Sequence, residues 1–160
     1  MLVIRPAGSD DRDALAALLT ASWGGTTVAA HGVLYDAVTL PALLAYRAGG
    51  LCGALTYHLT EEYGLEVVTL DATPPGQGTG GALLAAAADV AVAAGCGRVW
   101  VVTTNDNLDA LRFYQRRGLR ICAVEADAVD AARVLKPTIP RVGAYGIPIR
   151  DELTLQMWVS

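Results

Sequence analysis

Apolar and polar positions alternate or cycle along the chain in a way that predicts its elements in order. Leu2-Val3-Ile4 reads as a short strand stopped at Pro6, and Ser9 or Asp10 as the cap of a first helix. Leu15, Leu18, Leu19 and Trp23 recur at three- to four-residue spacing, and Gly24-Gly25 ends that helix. Residues 24–40 show no clear period; they are expected to be an irregular binding loop with a short helical piece. Apolar runs 41–47 and 51–59, joined by Ala48-Gly49-Gly50, predict a hairpin. After a polar turn at 60–64, residues 65–71 form a third strand, which makes a meander.

Downstream the plan changes. An alanine-rich helix over 79–94 stops at Gly95-Cys96-Gly97, and Arg98-Val-Trp-Val-Val-Thr-Thr104 reads as a buried strand. This strand–helix–strand order predicts that 65–71 and 98–104 run parallel. Asn105-Asp106-Asn107 reads as a cap cluster for a helix of about three turns that closes at Arg116-Arg117-Gly118. A strand at 119–124, a short helix from 127 or 128 to 135, a proline-rich loop at 137–151 and a last strand at 153–159 complete the chain. The whole reads as one domain over 1–160, of α/β class, with a mixed, mostly antiparallel sheet of six or seven strands and helices on both faces.

Between strand 65–71 and its helix lies Thr73-Pro-Pro-Gly-Gln-Gly-Thr-Gly-Gly81. Glycine lets backbone turn left-handed and lets a ligand approach closely, and a helix start offers unpaired N–H groups. The stretch therefore reads as a seat for a phosphate or diphosphate. It satisfies G-x-G-x-x-G at Gly76, Gly78 and Gly81, but a dinucleotide fold needs repeated strand–helix units on both sides of that turn, and here a meander precedes it. The triphosphate-loop pattern is missing its lysine.

Composition narrows the classes. An apolar fraction of 53% describes a folded chain, and a net charge of −4 disfavours nucleic acid. The three cysteines, Cys52, Cys96 and Cys122, form no C-x-x-C pair and read as reduced thiols of a cytoplasmic protein. No metal-ligand spacing, signal segment or membrane span is apparent.

Two stretches carry a resemblance. Pro75-Gly76-Gln77-Gly78-Thr79-Gly80, with Leu83-Leu84 behind it, resembles the glycine turn of the GNAT superfamily of acyl-coenzyme A N-acetyltransferases. Asn107, Ala110, Phe113, Tyr114 and Gly118 resemble its Asn-x-x-Ala-x-x-Phe-Tyr helix, with Leu119 where an aromatic is usual. One departure stands out: Pro75 occupies a position that is usually Gln or Arg.

The resemblance implies transfer of an acetyl group from acetyl-coenzyme A, a co-substrate that needs no metal, to an amine of a small molecule or peptide. It implies that the diphosphate rests on the backbone N–H groups of Gln77, Gly78, Thr79, Gly80 and Gly81, aided by the Thr79 hydroxyl. The pantetheine arm would lie between strands 65–71 and 98–104, against the backbone near Leu70 and Ala72. Tyr114 would be the general acid and Glu66 the base, directly or through a water, since an acid among apolar neighbours is costly unless it is paired or used. Asn107 would cap its helix and could also touch the cofactor. His31 reads as a solvated loop histidine and His58 as structural. Arg98, Arg116 and Arg117 are candidate phosphate contacts, and Glu61-Glu62 and Asp151-Glu152 could draw a cationic amine. Two alternatives remain, a non-catalytic acyl-coenzyme A sensor and a nicotinamide oxidoreductase with Asp106 at the ribose. The last strand and the proline-rich loop are candidate edges for a homodimer.

Overall fold

The computed structural model describes residues 1–60 and 62–160; Glu61, a candidate for attracting an amine, lies outside the described residues. The chain divides into two compact units, residues 1–26, 36–99 and 158–160 in one and 27–35 and 100–157 in the other.

The first unit is built on strands β1 (Leu2–Pro6), β4 (Ala42–Arg47), β5 (Gly50–Thr60) and β6 (Gly64–Ala72), each antiparallel to the next. The expected meander is β4, β5 and β6. Helix α1 (Arg12–Trp23) covers one face, where Leu15 and Leu19 join Leu44 and Ala54 in a buried core. Its start differs from expectation. Neither Ser9 nor Asp10 caps it; a 3-10 turn over Ser9–Asp11 leads in, and the Asp11 carboxylate takes the Gly8 N–H at 2.7 Å and both Arg5 nitrogens at 2.8 Å. Helix α2 (Thr79–Ala93) covers the other face with Leu83, Leu84, Ala87 and Ala91 buried.

A glycine lets α2 sit this close. A Cβ on Gly53 of β5 would come 2.7 Å from Asp71 O, 2.9 Å from Thr79 Cγ2 and 3.1 Å from Leu83 Cδ1. Strand β7 (Arg98–Thr104) begins beside the start of β6, where a Cβ on Gly64 would meet Arg98 O at 2.5 Å. Both strands set out from this point with α2 between them, as the strand–helix–strand pattern requires.

The second unit holds β7 from Trp100 onward, β8 (Arg120–Glu125), β9 (Glu152–Trp158, its last residue excepted), α3 (Leu108–Arg116) and α4 (Ala128–Leu135). β9, a candidate dimer edge, lies between β7 and β8 and so packs within the sheet; β8 is the edge, and all its residues are exposed. Residues 27–36 correct the expected irregular loop. They form a hairpin, β2 (Thr27–Ala30) and β3 (Val33–Asp36), turned at His31-Gly32, and the helical piece is a 3-10 turn at Ala37–Thr39. Both turn residues have positive φ, 41° and 81°, which suits the right-handed twist of a two-residue hairpin.

Candidate functional site

In the first unit β6 leads straight into the glycine turn. Thr73 N–H donates to Cys52 O at 2.8 Å, which ties the turn to β5, and residues 73–78 are exposed. Gly76 (φ 82°) and Gly78 (φ 79°) are left-handed, and a Cβ on either would meet nothing within 4 Å. Gly78 is the N-cap of α2, so no side chain caps the helix, and the first bond into it is Ala82 N–H to Gly78 O at 3.0 Å. The N–H groups of the first turn are thus left over by the helix itself.

Thr79 is 3% exposed, with its methyl towards Gly53. The surface offered to an anion is backbone, at Gly76, Gln77 and Gly78 and at the half-buried Gly80 and Gly81. Pro75 adds neither N–H nor polar side chain. A cation comes instead from β4: Arg47 Nη2 donates to Gln77 O at 3.3 Å. Arg47 was not singled out in the sequence, because thirty residues separate it from the turn and only the β4–β5 register brings it there.

Behind the turn, β6 carries an unusual polar face. Glu66 is 2% exposed, which excludes its lying at an open strand end. It faces His58 on β5; Thr69 faces Thr56, and Asp71 faces Ala54. These β5 partners are two residues apart, so the three β6 side chains share one face. A bulge makes this possible, because Thr56 pairs with Thr69 while Tyr57 pairs with Val67, leaving Val68 as the extra residue. The Thr56 and Thr69 hydroxyls, both buried, are 2.6 Å apart. The Asp71 carboxylate accepts from Trp23 Nε1 at 2.9 Å. Burial pushes the Asp71 pKa up, against the opposing hydrogen bonds from Trp23 and Ser22. One sheet face thus presents two carboxylates with a hydroxyl pair between them. Leu70 and Ala72 occupy the half-buried end of β6, paired through Leu55 and Gly53 to β5.

In the second unit the expected cap cluster divides into three tasks. Asn107 alone caps α3, its side chain accepting from Ala110 N at 3.2 Å. Asp106, 7% exposed, takes Thr104 Oγ1 at 2.5 Å and Ala144 N at 3.0 Å, and so anchors the loop after α4. Asn105 holds the same loop further on, donating to Pro148 O at 2.9 Å and accepting from Arg150 N and Asp151 N at 2.9 and 3.0 Å. Asp106 is engaged within the fold, which removes the only residue offered for a nicotinamide ribose.

Tyr114 on α3 is 6% exposed and meets Phe113 edge to face, centroids 5.1 Å apart. Arg117 spends its guanidinium over the Phe113 ring at 3.8 Å, and in the first unit Arg98 Nη1 donates to Tyr63 O at 3.4 Å.

His31 also departs from expectation. Its N–H donates to the buried Glu152 carboxylate at 3.2 Å, its Nε2 lies 3.3 Å from Tyr35 Oη, and its ring stands 5.2 Å from that of Trp100. A residue expected in a solvated loop is held on three sides, in a positive-φ conformation uncommon for residues other than glycine. Nearby, Lys136 Nζ donates to Thr27 O at 2.6 Å, and burial lowers its pKa.

Among the described residues no group of three His, Cys, Asp or Glu side chains is arranged to hold a metal, and no helix is long and apolar enough to cross a membrane. The model of the acetyltransferase (GNAT) family matches residues 13–119. The uncharacterised protein YdhI of Bacillus subtilis (strain 168) is 35% identical over 154 residues, 96% of each chain. An IAA acetyltransferase from Bacillus cereus ATCC 14579 superposes with a TM-score of 0.76 at 22% identity, over 99% of this chain and 100% of that one. An acetyltransferase from Bacillus subtilis in complex with CoA does so at 0.71 and 19%, over the full length of both. At these identities the superpositions show the fold: mixed α/β, mostly antiparallel, with one parallel pair.

Proposed function

The chain belongs to the acetyltransferase (GNAT) family, and from that premise we propose that it transfers an acetyl group from acetyl-coenzyme A to the amine of an acceptor by direct attack on the thioester. The observation that carries this reading is the glycine turn. Two left-handed glycines stand at the uncapped start of α2, immediately after a strand that buries a glutamate. Such a turn receives a diphosphate on backbone N–H groups without placing a Cβ in its way. Gln77, Gly78, Thr79, Gly80 and Gly81 supply those amides, aided by the Thr79 hydroxyl. Leu70 and Ala72 offer the backbone of β6 to the pantetheine arm, and Asn107 fixes the start of α3.

The donor brings an activated acyl carbon and a thiol leaving group. The protein must manage protons. A free amine, with a pKa near ~10, arrives as an ammonium and has to lose a proton before its nitrogen can attack. Glu66 receives that proton, directly or through a water. The new C–N bond forms as the C–S bond breaks, and the Tyr114 O–H gives its proton to the departing sulfur. A phenol with a pKa of about 10 remains protonated at neutral pH and can do this.

The test is release of free thiol from acetyl-coenzyme A across a panel of amines, amino acids, polyamines and peptides. One or more acceptors should support turnover. Tyr114→Phe and Glu66→Gln should lower kcat at least tenfold with little change in donor affinity. A protein that binds the donor yet releases no thiol with any acceptor would be the acyl-coenzyme A sensor instead. A large loss of donor affinity in Tyr114→Phe would move that residue from proton donor to binding.

A further inference from the structure

Arg47 stands where the glycine turn has no side-chain charge of its own. It ends β4, with its Cα paired to Leu2 of β1 and Gly50 of β5, and its guanidinium reaches across to the turn. Among the described residues its one side-chain hydrogen bond is Nη2 to Gln77 O, at a long 3.3 Å. Its Nε is buried and has no partner among the described residues. A guanidinium carries five donors in a planar fork matched to phosphate oxygens.

The turn itself poses the complementary question. Pro75 brings neither an N–H nor a polar side chain, so the loop offers amides but no charged side chain from its own sequence. We infer that Arg47 supplies that missing charge from β4 and pairs with the diphosphate of the donor. This rests on the acetyl-coenzyme A reading above. The geometry favours the diphosphate over a more remote phosphate, because Gln77, the residue that Arg47 touches, lies between the two left-handed glycines. Two residues far apart in the sequence, Pro75 and Arg47, then become one functional unit, and exchanging the charge between them should be tolerated.

Calorimetric titration of the full chain decides the matter, with acetyl-coenzyme A and with 3′-dephospho-coenzyme A as probes. Arg47→Gln should bind both about tenfold more weakly, the value of one charge-assisted hydrogen bond in a half-exposed setting. Its affinity should also fall less steeply with added salt than the parent's. Arg47→Lys should lose less, and adding Pro75→Arg to Arg47→Gln should recover most of the affinity, which a purely structural role for Arg47 would not allow. The inference is overturned if Arg47→Gln binds like the parent, if the loss is confined to acetyl-coenzyme A, or if Pro75→Arg restores nothing. Should the parent chain bind neither probe, the acetyl-coenzyme A reading itself fails; should it bind while the Arg47 variants behave alike, only the assignment of Arg47 does.

Discussion

Gly53→Ala probes how α2, and with it the glycine turn, is seated on the sheet. The added methyl would lie 2.7 Å from Asp71 O and 2.9 Å from Thr79 Cγ2. The first is backbone of β6 and the second belongs to the first residue of α2, so neither yields as the end of a long side chain would. Overpacking of this kind costs roughly 1–3 kcal/mol. Set against it is the loss of chain entropy in the unfolded state, which favours alanine over glycine by about 0.4–1 kcal/mol. Gly97→Ala isolates the two terms. A Cβ at Gly97 meets nothing within 4 Å, so only the entropic gain applies there. The difference between the two variants is then the clash itself, about 1–3 kcal/mol. For a chain of this size that corresponds to roughly 2–12 °C in Tm. Urea and thermal unfolding of both variants measure it, and acetyl-coenzyme A should stabilise Gly53→Ala less than the parent, because the clash displaces the turn that seats the donor. Equal stabilities for Gly53→Ala and Gly97→Ala would refute the close packing of α2 on β5.

Two further variants address the polar face and the loop anchors. Asp71 has its pKa raised by burial, so the folded state holds its proton to higher pH than the unfolded state does. Its contribution therefore favours folding most below the unfolded value near 3.8 and is lost as pH rises through the raised folded value. Asp71→Asn, which can still accept from Trp23, should remove that dependence, and its stability relative to the parent should grow between about pH 3 and pH 7; a constant offset in urea unfolding across that range would contradict the assignment. Asn105→Ala removes three hydrogen bonds to Pro148, Arg150 and Asp151 and should cost about 1–3 kcal/mol. Hydrogen exchange should quicken at Arg150 and Asp151 while α2 stays protected, and uniform protection would argue that the loop is held some other way.

Where sequence and structure agree, the period did the work. The hairpin at 42–60, strand β6, helix α2 and strand β7 all follow patterns that few other arrangements can satisfy, and the glycine turn sits where the apolar run of β6 gives out. The β2–β3 hairpin was hidden by its turn. His31 adopts φ 41°, a conformation for which asparagine or glycine would have been the signal, and the neighbours that hold it there, Tyr35, Trp100 and Glu152, are up to 121 residues distant. Asn105, Asp106 and Asn107 all have the chemistry of a helix cap, and nothing local distinguishes the one that caps from the two that anchor a loop. The role of Arg47 is invisible in the sequence for the same reason: only the β4–β5 register brings it to Gln77.

What everything else presupposes is a donor diphosphate lying on the bare amides of residues 76–81. Gly78→Val tests this most directly, because a β-branched side chain disfavours the left-handed turn at φ 79° and would project into the space above it. Calorimetry should show acetyl-coenzyme A binding the parent at a single micromolar site and Gly78→Val at least tenfold more weakly, with both chains folded. Undiminished binding by a folded Gly78→Val would put the donor somewhere else.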